Sequence, residues 1–196
     1  MISRLLSLLL LVLMAQACNQ KDDSVQSGNV ESVVSIFAQD MYYEQLTDGH
    51  LLKFDEVLTS LHESLVFDSL ILDQSQLVVL RISDQNCSVC VDAELEELER
   101  LQQKLTEKQV VVLASFENKR ELRILTEGVE KLGVPIFSIR FDKVNLPIEE
   151  ANIPYYFALS SDRSVSNVFI PKKSFPDLTN AYFTALATRL NGEQQK

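Results

Sequence analysis

The 196-residue chain reads as an α/β domain, a sheet with helices on both faces, behind a helical N-terminal extension. Two near-continuous apolar runs of strand length, Leu77 to Ser83 and Val110 to Phe116, are each followed by apolar residues at helical spacing. That is the order of buried parallel strands and their covering helices. Later, strands at Tyr155 to Leu159 and Asn167 to Ile170 flank a turn at Ser160 to Ser164, so they read as a hairpin, and a helix closes the chain. With 46% hydrophobic residues, 10 Phe, 5 Tyr and only five Gly and five Pro, the composition supports one well-filled core.

The first element is an address. Met1-Ile2-Ser3-Arg4 precedes an apolar run from Leu5 to Met14, and Ala15-Gln16-Ala17-Cys18 follows. The run is about half of the roughly 20 residues a membrane-spanning helix needs, and Arg4 lies on its N-terminal side, so 1–17 reads as a cleavable signal peptide. Ala15 and Ala17 suit ordinary signal peptidase, whereas a cysteine directly after the cut resembles the lipobox of bacterial lipoproteins. Both place the new terminus at Cys18, the candidate lipidation site. From Cys18 to Asn29 the chain is polar apart from Val25 and reads as a flexible tether. Its Lys21-Asp22-Asp23 triplet resembles a surface-export tag, and a solvated linker explains it equally well.

Residues 30–66 carry two stripes at helical spacing, at 30, 33, 34 and 37 and at 51, 54, 58, 61 and 65, which predict helices packed on the main domain. His50 and His62 have no Cys or carboxylate pattern at metal-ligand spacing and read as surface or packing residues. The main domain, 67–196, begins with a short strand at Leu70 to Leu72 and a turn at 73–76, before the buried strand to Ser83. The helix from Cys90 presents Val91, Leu95, Leu98, Leu101 and Leu105 on one face and turns Glu94, Glu96, Glu97, Glu99 and Lys104 mostly to water. After Val110 to Phe116, Asn118 and Glu121 predict a capping box. Leu122, Leu125, Val129 and Leu132 supply the next apolar face, and Gly133 and Pro135 stop it. A strand follows at Ile136 to Phe141. The last helix buries Leu178, Tyr182, Leu186 and Leu190 and ends at Asn191-Gly192.

A formal charge of −10, with no run of Lys and Arg, argues against nucleic acid as a partner. The chemistry lies at Cys87-Ser88-Val89-Cys90, between a strand and a helix. Unpaired N–H groups at a helix N-terminus favour a thiolate over a thiol, which makes Cys87 the expected nucleophile. Cys90, one turn on, is placed to resolve a mixed disulfide, and the pair cycles without a cofactor. A purely structural disulfide is the plainer alternative in an exported protein. Two cysteines fall short of a four-ligand zinc site, and no histidine follows to complete a Cu(I) site, so no metal is expected.

With Cys87-Ser88-Val89-Cys90 after a buried strand, and Asn152-Ile153-Pro154-Tyr155-Tyr156-Phe157 leading into a later one, the chain resembles the thioredoxin superfamily. In particular it is similar to the membrane-anchored, TlpA-like thiol-disulfide oxidoreductases of bacterial envelopes, over about Leu77 to Leu190. The resemblance implies a thioredoxin-like fold with a mixed central sheet, a cis-proline at Pro154 beside the disulfide, and an Ile153 backbone that binds an extended substrate by strand addition. It also implies protein or peptide thiol and disulfide substrates and a redox partner that recharges the pair.

The chain departs from the pattern at three places. Asn86 replaces the usual aromatic residue, and there is no Trp. Six positions before Cys87, where thioredoxins hold a buried carboxylate that handles the resolving thiol's proton, stands Arg81. A cation there would favour a thiolate, unless a carboxylate pairs with it. Asp84 is a candidate proton acceptor in its place, or a helix cap. The resulting expectation is a membrane-tethered oxidoreductase of the bacterial envelope, facing the periplasm or exposed at the surface. The alternative is a redox-inactive thioredoxin-like module that holds an envelope protein partner.

Overall fold

Gln76–Ser83 (β1) is buried at every residue after its first, and Val110–Ser115 (β2) throughout, so these strands form the covered centre of a sheet. The computed structural model describes residues 27–53, 57–61, 64–74, 76–105 and 109–193. The signal peptide, Cys18, most of the tether and His62 lie outside the described residues. The chain divides between Gln39 and Asp40 into two compact units, and the second carries the sheet.

Five strands lie in the order β3-β2-β1-β4-β5, where β3 is Ile136–Ser138, β4 Tyr155–Ser160 and β5 Val165–Phe169. β1, β2 and β3 are mutually parallel; β4 runs antiparallel to β1, and β5 antiparallel to β4. The expected mixed sheet is present, with β3 trimmed to Ile136–Ser138 and β5 shifted toward the N-terminus, running from Val165 to Phe169.

Strand alternation sends Val78, Leu80 and Ile82 to one face. There they meet Leu98 and Leu101 of α3 (Ser88–Gln102), Leu125 and Val129 of α4 (Lys119–Lys131), and Phe183, Leu186 and Leu190 of α5 (Pro176–Glu193). Two successive right-handed crossovers in the same direction put α3 and α4 on this one side. The opposite face, with Leu77 and Val79, is covered by Leu52, Leu58 and by Phe67, Leu70 and Ile71 of α2 (Phe67–Asp73), and by Val144, Leu146 and Ile148. Val144, Leu146 and Ile148 lie in or beside two 3₁₀ turns, Phe141–Lys143 and Pro147–Ala151.

Several elements differ from the sequence reading. The expected strand at Leu70 to Leu72 is part of helix α2. Phe67, Leu70 and Ile71 are buried at i, i+3 and i+4 while Leu72 is 77% exposed, a helical period that a three-residue window cannot show. The stripe at 51–65 forms no helix among the described residues. It contributes isolated bridges, Leu51 to Ser164, Thr59 to Val66 and Ser60 to Phe137, and buries Leu52 and Leu58 while Leu51 and Leu61 stay exposed. The first stripe belongs to a longer helix than expected, α1 (Ser27–Thr47). At its end the buried Thr47 hydroxyl accepts the Ile148 N–H at 3.1 Å. At the start of α4, Asn118 Oδ1 accepts from Arg120 N, and its amide donates to Glu121 Oε1 at 3.0 Å, so the capping pair closes through side chains. Gly133, at φ +68°, ends that helix as expected.

Candidate active site

The turn from β1 to α3 is built by the residue that replaces the usual aromatic. Asn86 N donates to Ser83 O at 3.1 Å, and Asn86 Oδ1 accepts the Ser83 N–H at 2.7 Å, so the chain reverses within four residues. Asp84 ties this turn to the end of β2. Its N–H donates to Ser115 O and its Oδ2 accepts from Glu117 N, both at 2.9 Å. Its carboxylate thus holds the loop after β2 rather than the first turn of α3.

Cys87 follows as the N-cap of α3. Its sulfur accepts the Cys90 N–H at 3.2 Å, doing the work a serine or aspartate oxygen does at other helix starts. Cys87 and Cys90 are joined as a disulfide, with Cα atoms 5.2 Å apart. Cys87 is exposed and Cys90 half-buried, so an approaching sulfur meets Cys87 first. A mixed sheet of this strand order, with a Cys-x-x-Cys pair opening the helix after its central strand, decides the architecture. The fold is thioredoxin-like.

No family model and no curated protein matches the chain. Among solved structures, similar chains include a putative thiol:disulfide interchange protein DsbE from Chlorobium tepidum, at 13% identity and TM-score 0.48, covering 72% of this chain and 99% of that one. Another is a thiol:disulfide interchange protein from Bacteroides sp., at 15% identity and TM-score 0.47, covering 74% and 91%. A third is an exposed lipoprotein thioredoxin from Streptococcus pneumoniae, at 12% identity and TM-score 0.43, covering 65% and 99%. The assignment of a thioredoxin-like fold to this chain rests on its own topology.

Antiparallel pairing of Arg81 with Tyr155 puts the start of β4 beside the end of β1, which brings Ile153 and Pro154 to the same end of the sheet as the disulfide. Pro154 is buried and Ile153 half-buried. The expected cis bond is absent: the Ile153–Pro154 peptide is trans. Asn152, at φ 53° and ψ 36°, makes a left-handed turn that redirects the chain into β4 before the proline. The trans form is the one X–Pro peptides favour by about 0.5–1 kcal/mol.

Arg81 points to the sheet face opposite α3, where Leu77 and Val79 also lie, and it is 1% exposed. Its guanidinium holds Glu149 bidentately, Nε to Oε1 and Nη2 to Oε2, both at 2.9 Å, and Nη1 donates to the carbonyls of Ile82 and Leu113. Tyr155 donates its hydroxyl to the same Glu149 at 2.5 Å, and burial, then the Glu149 charge, holds that phenol well above its ordinary value. The Arg81 charge is thus matched by Glu149.

The residue that sequence reasoning missed is Glu94. Expected to face water, it is 5% exposed, on the stripe that continues to Leu98 and Leu101. Its backbone carbonyl accepts the Tyr156 hydroxyl at 3.2 Å, and its Oε2 is buried with no hydrogen-bond partner. Burial pushes its pKa up to about 7, helped by Glu97 and opposed by the Tyr156 hydroxyl and Lys173. Between about 4.5 and 7 the folded protein therefore binds a proton that the unfolded chain releases, so this residue's contribution to stability is full below 4.5 and fades as pH rises to 7. Urea unfolding should show wild type losing about 3 kcal/mol over this window relative to Glu94→Gln. Parallel pH profiles for the two proteins would contradict that reading. Among the described residues, no group of three or more His, Cys, Asp or Glu is placed to hold a metal, and no helix is long and apolar enough to cross a membrane.

Proposed function

We propose that this protein is a thiol-disulfide oxidoreductase that exchanges disulfides with protein substrates through Cys87 and Cys90. The supporting observation is the exposed Cys87 sulfur at the start of α3, held by the Cys90 N–H. In the reduced protein that N–H and the helix dipole stabilise a Cys87 thiolate. The thiolate attacks a substrate disulfide; the Cys87–substrate bond forms and one substrate thiolate leaves. Cys90 then attacks Cys87, the Cys87–Cys90 bond forms, and the second substrate sulfur departs. Two electrons pass from the pair to the substrate, and the reverse sequence oxidises a substrate dithiol. No cofactor takes part.

Ile153 and Pro154 sit at the same sheet end and serve as the substrate platform, with the Ile153 backbone adding an extended peptide. Cys18 carries a lipid that tethers the domain to a membrane of the bacterial envelope, on the periplasmic side or at the surface. A separate redox partner recharges the pair.

The test is the alkylation rate of Cys87 against pH in the reduced full chain in detergent, with the disulfide's midpoint read in graded thiol buffers. We expect a Cys87 thiolate pKa below the free value of about 8.5 and a midpoint between about −270 and −120 mV. An ordinary pKa with a midpoint below about −300 mV would make the disulfide structural and favour a module that only holds a partner.

A further inference from the structure

We infer that a groove between the N-terminal turns of α3 and α4 is a substrate subsite for a large apolar side chain next to a basic one. This deepens the oxidoreductase reading above and rests on it. The groove starts at Asn86 and Ser88, the two neighbours of Cys87, and its walls are Val91 and Leu95 of α3 with Phe116 and Ile124. Ile124 is 57% exposed and the other three are half-buried, so four apolar side chains meet water in one concave patch. Single exposed apolar residues are ordinary on a protein surface, but a contiguous patch marks a place where something binds. Its volume of about 220 Å³ falls below the roughly 300–1,000 Å³ of small-molecule sites and suits one side chain rather than a whole ligand. From Ser88 to Leu95 the helix rises about 10 Å, which about three extended residues span, so the side chain that enters belongs to a near neighbour of the substrate cysteine.

Charge selects the neighbour of that side chain. Asp84, Asp92 and Glu121 are exposed and line the groove, no lysine or arginine does, and among the described residues none of the three carboxylates is in an ion pair. Two helix N-termini would by themselves favour an anion. Here the Cys90 N–H is held by Cys87 Sγ and the Arg120 N–H by Asn118 Oδ1, while Asp92 and Glu121 add negative charge over both helix starts. The sign is thereby reversed, and the formal charge of −10 on the whole chain extends the attraction for a cationic segment. The groove is also distinct from the platform at Ile153 and Pro154. β1 is flanked by β4 on one side and β2 on the other; Pro154 precedes β4, whereas Phe116 follows β2. A peptide whose cysteine meets Cys87 therefore reaches the groove with the residues on one side of that cysteine and Ile153 with those on the other.

The experiment uses the reduced full chain in detergent and symmetric disulfides of four short synthetic peptides, each with one central cysteine. Leu or Ser is combined with Arg or Glu within about three residues on both sides of that cysteine, so either chain direction and either sulfur presents the same neighbours. Hydroxyethyl disulfide, small and uncharged, reports the thiol alone. The Leu/Arg peptide should be reduced about 10-fold or more faster than the Ser/Glu peptide, and the Arg part of that preference should shrink as salt rises from about 0.05 to 0.5 M. A basic neighbour also makes a peptide thiolate a better leaving group, so the decisive quantity is the ratio in each variant against wild type. Ile124→Ser should cut the Leu-over-Ser ratio about 3-fold or more, and Asp92→Asn with Glu121→Gln should cut the Arg-over-Glu ratio by a similar factor. Leu72→Ser, 77% exposed on the opposite face of the sheet, should keep both ratios. Wild-type ratios in both groove variants would overturn the proposal. So would a concentration-dependent dimer that Ile124→Ser dissolves, since the groove would then join two copies of the chain. Failure of the wild-type protein to reduce hydroxyethyl disulfide or any peptide would overturn the oxidoreductase reading itself, and the proposal with it.

Discussion

Cys87→Ser should abolish disulfide exchange, with turnover falling on the order of 10³-fold or more, whereas Cys90→Ser should trap substrate on Cys87. The asymmetry follows from exposure and position. Cys87 is the exposed member of the pair and its sulfur receives the N–H of Cys90, so it alone is both reachable and electrostatically prepared. A serine oxygen would preserve the N-cap bond, so Cys87→Ser should keep its fold while losing reactivity. Cys90 is the half-buried member of the pair, so it acts once a mixed disulfide exists on Cys87. Non-reducing gels with a peptide disulfide probe, followed by mass spectrometry, would distinguish the two variants. Mixed disulfide on Cys90 in the Cys87→Ser protein, at wild-type rate, would reverse the assigned roles.

The pair itself was legible because its signal is local: three residues of spacing and a strand before a helix fix where both sulfurs stand. The central strands were legible too, since β1 and β2 are covered on both faces and leave unbroken apolar runs. Glu94 was hidden by averaging. Acidic neighbours at Glu96, Glu97 and Glu99 make it look like one more solvated charge, and only its phase with Leu98 and Leu101 marks it as inward-facing. The sequence left a carboxylate partner for Arg81 open but could not name it, because Glu149 is 68 positions away and is brought to it by a 3₁₀ turn that has no periodic signature. The cis isomer expected at Pro154 came from the resemblance and not from the residue itself, and the peptide is trans.

Glu149→Ala should cost about 3–5 kcal/mol of folding stability, the largest effect expected outside the cysteines. The Arg81 and Glu149 side chains are 2% and 11% exposed, so truncating the carboxylate leaves a guanidinium buried with two backbone carbonyls and no counter-charge. The Tyr155 hydroxyl loses its acceptor in the same change. Removing both charges is a different matter, because the desolvation of a buried pair roughly cancels its attraction. Arg81→Met combined with Glu149→Leu should therefore recover most of the loss, as the remaining groups pack against Phe141 and the apolar face that holds Val79 and Leu113. Urea unfolding of the single and double variants measures both values, and a single-variant cost below about 1 kcal/mol would mean that Arg81 finds another partner. The redox midpoint supplies the second readout. Arg81 and Glu149 lie across the sheet from α3 and match each other's charge, so the double variant should keep the wild-type midpoint. A shift would show that the pair acts on the disulfide through the sheet.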